Sequence, residues 1–329
     1  MLLPGQLDVL PLYTQKLWED LEAEFLKKIA DKMNVDSLDA LLRIGGNQED
    51  VKKALKSTYN KSNKEIDDLF ANVAKYENSY YGNISDRLGK KTASVDKQLL
   101  DAHIKQTKET LKNLTNTTGF MDANGKHMPL ADTLQRISDT AYLEVSTGLS
   151  TLDEAIGKQM KAIADKGLVW VDYASGTHRR VESTLRASII SGVNQTVGVI
   201  SDANAETLDA EYFEVSAHIG ARNTGDGHAN HESWQGKVYK KDELVSKCGL
   251  GSATGLEGIN CRHSRYPFFP EIMERNYTDE YLEAMDKMDF TFGDKHYTST
   301  YEASQEMRNI ERNIKRLTRY KNAGIDVDA

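Results

Sequence analysis

Glu214-Val215-Ser216-Ala217-His218-Ile219-Gly220-Ala221-Arg222 opens the stretch on which the reading of this chain depends. His231-Glu232-Ser233-Trp234-Gln235-Gly236-Lys237-Val238-Tyr239 continues it. Gly255-Leu256-Glu257-Gly258-Ile259-Asn260-Cys261-Arg262-His263, running on through Arg265-Tyr266-Pro267-Phe268 to Pro270, closes it. Both cysteines of the 329-residue chain and four of its eight histidines lie inside or beside these clusters. Such a concentration of His, Cys, Trp and Gly in an otherwise polar, helix-rich chain is what a site looks like in sequence. Tyr212 to Ala217 alternates as a strand, with Phe213, Val215 and Ala217 on one face and Tyr212, Glu214 and Ser216 on the other. His218 continues the more polar face. Val238-Tyr239 and Arg265-Tyr266 are further strand candidates, so the stretch belongs to a small α+β module spanning residues 167–275.

Upstream the pattern is helical. Trp18, Leu21, Phe25 and Ile29 recur at helical spacing and predict a helix over 6–33. Asn34 and Asp36 end it and offer caps for a second, over 37–43, and Gly45-Gly46-Asn47 reads as a break. Helices resume over 48–56 and 62–81, where Ile66, Phe70 and Val73 form a stripe, and Gly82-Asn83 and Gly89 read as punctuation. Ser94 opens another helix through Leu111 and Leu114. Asp122-Ala123-Asn124-Gly125 is turn chemistry between two short apolar pairs and predicts a hairpin over 117–130. Asp122 and Asn124 brush a calcium-loop pattern, but its remaining ligands and closing Glu are missing. Helices follow over 130–147 and 150–166. Leu168-Val169-Trp170-Val171 is a short apolar run, Tyr173-Ala174-Ser175-Gly176 a turn, and a long helix is expected over 177–202. Gly192 and Gly198 either weaken that helix or let a neighbour approach it.

The chain ends in a helix predicted over 298–322. Met307, Ile310, Ile314 and Leu317 make a coiled-coil-like seam, and Arg308, Arg312, Lys315, Arg316, Arg319 and Lys321 crowd the other faces. Those cations could be a handle for an acidic partner or DNA, or simply a solvated face whose terminal charges suit the helix dipole. The expected fold is therefore α+β and predominantly α-helical. It comprises a helical docking domain over 1–166, the α+β module over 167–275, and a C-terminal helical tail over 276–329.

Bulk numbers narrow the function. A formal net charge of −8 argues against a general nucleic-acid coat, which needs a basic footprint. Two cysteines are too few for a secreted disulfide scaffold and fit assembly in a reducing cytoplasm. No apolar run approaches membrane-spanning length, and no export leader is visible near Met1.

Four side chains of the clusters, His218, His231, Cys261 and His263, are types that zinc accepts. Cys261-Arg262-His263 on a strand would put two of them on one face, and the turn-rich loop between His218 and His231 could fold the others in. Against this, Cys-x-His is not a standard finger spacing and no Cys-x2-Cys half is present. The bland alternative has the histidines hydrogen-bonded around Trp234, with Cys261 a small buried apolar group. Cys248 and His228 read as accidental neighbours. Catalysis finds no complete motif: His228-x-x-His231-Glu232 is not His-Glu-x-x-His, Gly225 and Gly227 oppose a helix there, and no nucleophile elbow exists. Trp234, Gln235 and Gly236 suit packing, strand hydrogen bonding and a turn respectively. Arg222 and Arg262 suit pairing with carboxylates such as Glu214 or Glu232.

These paired clusters resemble the phage minor capsid protein 2 family, a branch of the head-morphogenesis proteins of tailed phages. That family carries signatures like H-x-G-A-R-P-x-H-x-x-W-Q-G-K-x-Y and G-L-x-G-x-N-C-R-H-x-x-x-P-F. The first is matched from His218 through Arg222, His231 and Trp234-Gln235-Gly236 to Tyr239. The second is matched from Gly255 through Asn260, Cys261, Arg262 and His263 to Phe268. The chain departs where Asn223 replaces the proline and Thr224 to Asn230 lengthen the loop. Related head proteins carry pairs ending in Cys-x-Cys, as a His-for-Cys exchange around a structural zinc would. The resemblance implies a non-enzymatic virion protein of the phage or prophage head, assembled in the bacterial cytoplasm. Its implied partners are the portal protein and the scaffold or major capsid protein near the portal, with roles in head assembly or DNA packaging. The competing expectation is a metal-bearing enzyme or effector ejected with the genome.

Overall fold

A computed structural model describes residues 2–43, 48–95, 97–172, 175–286 and 290–326. The expected break at Gly45-Gly46-Asn47 and the Tyr173-Ala174 half of the expected turn lie outside the described residues. The fold is α+β and predominantly helical, with small antiparallel sheets.

In chain order, α1 (Pro4–Val9) and α2 (Leu12–Met33) replace the one helix expected over 6–33. Pro11 lies between them, and its missing N–H and ring clash end one helix before the next begins. Helix α3 (Leu38–Leu42) lies where expected, but its cap is Ser37, whose Oγ accepts the Ala40 N–H at 3.2 Å, and not Asn34 or Asp36. Helix α4 (Gln48–Leu88) runs straight through Gly82-Asn83, because one glycine costs about 1 kcal/mol in a helix interior and cannot interrupt so long a ladder. Gly89 does stop it, at φ 62°, in the left-handed cap conformation that glycine adopts freely.

Helix α5 (Lys97–Thr117) leads into the expected hairpin of β1 (Thr118–Met121) and β2 (His127–Pro129), which pairs Phe120 with Met128. Asp122 Oδ1 accepts the N–H groups of Asn124 (2.9 Å) and Lys126 (2.7 Å), so that carboxylate shapes the turn. After α6 (Thr133–Ser146) and α7 (Leu152–Lys166), β3 (Val169–Val171) pairs with β1, and β4 (His178–Arg180) pairs with β3. The helix expected from 177 therefore begins only at 181, as α8 (Val181–Leu208), because the preceding backbone groups are taken by the ladder.

Strands β5 (Tyr212–Val215), β6 (Val238–Lys240) and β7 (Arg265–Phe268) form a second sheet in the order β6-β5-β7, at the expected positions. Two short helices, α9 (Lys241–Ser246) and α10 (Asp279–Asp286), were not expected. Nor was the hairpin of β8 (Phe290–Phe292) and β9 (Lys295–Tyr297). Its Gly293-Asp294 turn between alternating residues is a legible two-residue hairpin signal. Helix α11 (Thr300–Asn322) closes the chain.

The chain divides into two compact units, each built from separate segments. One comprises residues 13–64, 109–185 and 310–329. It holds the sheet β2-β1-β3-β4 and a core that includes Trp18, Phe25, Phe120, Ile137, Ile163 and Val169. Two of the basic residues expected on the free face of α11 are engaged here. Lys315 pairs with Glu19 (2.7 Å) and Glu182 (3.0 Å). Arg319 is 3% exposed and donates through Nε to the Ala164 carbonyl at 2.7 Å.

The other unit comprises residues 1–12, 65–108 and 186–309. The β6-β5-β7 sheet lies within it, and Phe213 and Val215 on its inner face pack with Trp234, Tyr239, Leu256 and Cys261. Gly192 and Gly198 of α8 both serve close approach: a Cβ at Gly192 would lie 2.4 Å from Thr107 Oγ1, and one at Gly198 would lie 2.4 Å from Glu257 Oε2.

Candidate functional site

The site grows from the end of the central strand. Past Val215, the Ser216 N–H donates to the Ser264 carbonyl (2.8 Å), and the Ser264 N–H donates to Ser216 Oγ (2.9 Å). This brings the segment leaving β5 against the segment entering β7, so His218 and His263 meet. Their rings stack with centroids 4.6 Å apart. Cys261 and His263 precede β7 and do not lie on a strand, the arrangement that would have put them on one face by alternation. Their side chains nevertheless share one side, with Cys261 Sγ 3.6 Å from His263 Nδ1. His231 arrives from the loop before Trp234 and sets its Nδ1 4.0 Å from the same sulfur. His231, Cys261 and His263 are all buried, and their ligand atoms lie within 4.8 Å of one another. His218 stands beside this triad and contributes no atom to it.

The hydrogen bonds determine which ring nitrogens carry protons. A backbone N–H can only donate, so the His218 N–H, 3.0 Å from Gln235, fixes the facing side-chain atom as the oxygen Oε1. That oxygen also lies 3.0 Å from His263 Nε2, which must therefore donate. His231 Nε2 lies 2.8 Å from the Thr254 carbonyl and must donate too. In a neutral imidazole the other nitrogen then bears a lone pair. Both Nδ1 lone pairs face one sulfur. The His263 N–H also points at that sulfur, at 3.4 Å.

Electrostatics keep these rings neutral. Burial lowers His263 well below the ordinary imidazole range, with His218 and His231 adding to the effect. Burial, helped by the Arg262 guanidinium, brings His218 down to about 4, and burial lowers His231 as well. The Cys261 thiol is pushed up to about 11 by burial. A buried thiol of this kind is a poor nucleophile. Three neutral or anionic donor atoms in a dry pocket can instead hold a cation.

The surrounding residues lock the arrangement. Trp234 donates its indole N–H to the His228 carbonyl at 3.0 Å and packs its ring 4.9 Å from that of His263. Tyr239 OH donates to the Trp234 carbonyl at 2.9 Å. Gly236 sits at φ 67°, where a Cβ would lie 2.5 Å from Leu282. Asn260 adopts a left-handed φ of 59° and donates its N–H to Ser191 Oγ at 3.2 Å. Arg222 accepts the Glu232 N–H at its carbonyl, at 3.0 Å.

Arg262 pairs with Asp8 at 2.8 Å, whereas an acidic residue of the motif had been expected. The Glu214 carboxylate is occupied by the Asn276 side chain and by the N–H groups of Asn276 (2.6 Å) and Tyr277 (3.4 Å). Sequence reasoning also missed Thr254, Asn194 and His228. Asn194 donates its side-chain N–H to the Cys261 carbonyl. The His228 ring covers Gly249, where a Cβ would meet it at 2.5 Å. Their roles depend on backbone carbonyls and on a partner 67 residues away, which no local pattern announces. Cys248, read as a bystander, is a fully buried member of the core.

Signature residues thus make up much of the neighbourhood of the triad. No curated protein and no solved structure matches the chain. The family model described as phage minor capsid protein 2 matches residues 2–329. A match over essentially the whole length, with the signature residues folded into one knot, makes this chain a member of the phage minor capsid protein 2 family, a structural component of the phage head.

Proposed function

We propose that this minor capsid protein docks near the portal of the phage head and acts there in head assembly or DNA packaging, without catalysis of its own. The observation that carries this reading is the outer face of α11. Met307, Ile310, Ile314 and Leu317 are 62%, 44%, 57% and 44% exposed on that one helix. An apolar seam at coiled-coil spacing is costly to leave in water, and it suits a groove or helix on another head protein. Exposed Arg312, Arg316 and Lys321 border it, so an acidic portal or capsid surface, or DNA, is the complementary partner.

In this reading residues 1–166 supply further docking helices. Residues 167–275 form a rigid module and 276–329 the grip; these are roles along the chain, distinct from its two packing units. The particle is assembled in the bacterial cytoplasm. No described helix is long and apolar enough to cross a membrane.

Removing α11 outright would be a poor test, because Lys315 and Arg319 hold the fold. Replacing Ile310, Ile314 and Leu317 together by Glu leaves those contacts in place. The docking reading expects the variant to fold and to be absent from assembled heads. Normal incorporation and normal DNA content would overturn it.

A further inference from the structure

We propose that His231 Nδ1, Cys261 Sγ and His263 Nδ1 bind a structural zinc ion, and that the half-buried His218 ring beside them turns inward to supply Nε2 as a fourth donor. The inference is independent of where the protein docks.

Four features support it. First, the distances fit. Tetrahedral zinc with Zn–S of about 2.3 Å and Zn–N of about 2.05 Å has S···N edges of about 3.5 Å. Here those edges measure 3.6 and 4.0 Å. Closing the three-atom set, whose atoms span up to 4.8 Å, to the N···N edge of about 3.3 Å needs contraction by about 1.5 Å at most.

Second, the donors point the right way. Both rings donate Nε2–H to oxygen, to Gln235 Oε1 and to the Thr254 carbonyl. Metal-binding histidines are held in the same way, their second nitrogen anchored to a carbonyl so that the lone pair of the first faces the ion.

Third, without an ion the pocket has a proton deficit. One S–H can satisfy only one of the two Nδ1 lone pairs, and the other stays buried facing sulfur. A cation satisfies both at once, and the thiol proton leaves to solvent as the Zn–S bond forms. The His263 N–H directed at Cys261 Sγ (3.4 Å) would then stabilise thiolate.

Fourth, His218 donates Nδ1–H to the Ile219 carbonyl at 3.0 Å. Its Nε2 is left as the available lone pair, on a ring already stacked against His263. Two imidazoles and a thiolate favour a borderline-soft cation over calcium or magnesium. With His218 turned in, the ion would have four protein ligands, and such a site is closed and structural. It would tie the loop after β5 to the loop before β7.

The test uses the untagged full-length protein, purified without chelator from zinc-supplemented cells. Elemental analysis should find about one zinc per chain. Exchange with cobalt should give a thiolate-to-cobalt charge-transfer band and the intense d–d bands of four-coordinate cobalt. Cys261→Ser should abolish the charge-transfer band. His218→Ala should weaken the d–d bands while keeping the charge-transfer band; unchanged d–d bands would remove His218 from the ligand set. If Cys261→Ser does not fold, cobalt titration of the chelator-stripped wild type still decides. Soluble, cooperatively folding wild-type protein with no stoichiometric zinc and no cobalt bands would overturn the proposal.

Discussion

His263 is fully buried, while Ile314 is 57% exposed. The two stand for regions that depart from ordinary burial in opposite directions. In the knot, polar and ionisable groups fill a dry interior; on the outer face of α11, a row of aliphatic side chains is left in water. Buried polar groups and contiguous exposed apolar ones carry more information than any number of buried leucines. Each departure has a cost, and the two costs have different remedies. The knot's is met internally, by carbonyl and amide partners and by the proposed cation. That of α11 can be met only by another molecule. Internal packing and outward function are therefore separable in this protein, and substitutions can address each alone.

The sharpest break would come at His263. His263→Ala removes the ring that touches His218, His231, Trp234 and Gln235, leaving a cavity and unpaired buried groups. A loss of about 3–5 kcal/mol is expected in denaturant unfolding of the purified protein. A loss below about 1 kcal/mol would show that the knot does not hold the module together.

A buried carboxylate outside the knot sharpens the contrast. Burial pushes Glu77 up to about 7 from its ordinary 4.5, although its Oε1 accepts the Leu2 N–H at 3.1 Å. The folded chain then holds this proton more tightly than the unfolded chain. Its contribution is full below about pH 4.5 and is lost as pH rises through about 7. Glu77→Gln should remove that slope and be the more stable protein above pH 7, by roughly 1–3 kcal/mol. Parallel stability–pH curves for the two proteins would refute this.

Trp234→Phe keeps an aromatic ring but loses the N–H bond to the His228 carbonyl and part of the indole's buried volume, at a cost of about 1–2 kcal/mol. Thermal unfolding reads it directly. The smallest stability effect is expected on α11, where Ile314→Glu alone should change unfolding by no more than about 0.5 kcal/mol. The same substitution should lower the amount of protein recovered with assembled heads. A large stability loss there would mean that the stripe is part of the core after all.

How much of this was legible depends on the distance over which each feature is determined. The hairpin at 118–129, the strands at 212–215 and 238–240, and the short helix at 38–42 rest on neighbours a few residues apart, and each stands where the pattern places it. The Pro11 break and the Gly293-Asp294 hairpin were also local signals, left unread. Gly82 misled because its penalty was weighed alone, without the rest of a 41-residue helix. At the site, the residue types were evident: His231, Trp234, Gln235, Cys261 and His263 stand out by composition. Their division of labour was not.

Taken alone, the sequence determined the helical periodicity, the strand alternation, the family signature and the chemical kinds of side chain gathered in two clusters. These follow from local sterics and from polarity repeating along the chain. Only the tertiary structure decided that Gln235 orients His263, that Thr254 orients His231, and that Arg262 pairs with Asp8. It also decided that Lys315 and Arg319 turn inward while Ile314 does not. Those outcomes depend on which carbonyls and carboxylates arrive from distant segments, and on which faces folding leaves uncovered. No periodicity along the chain encodes either.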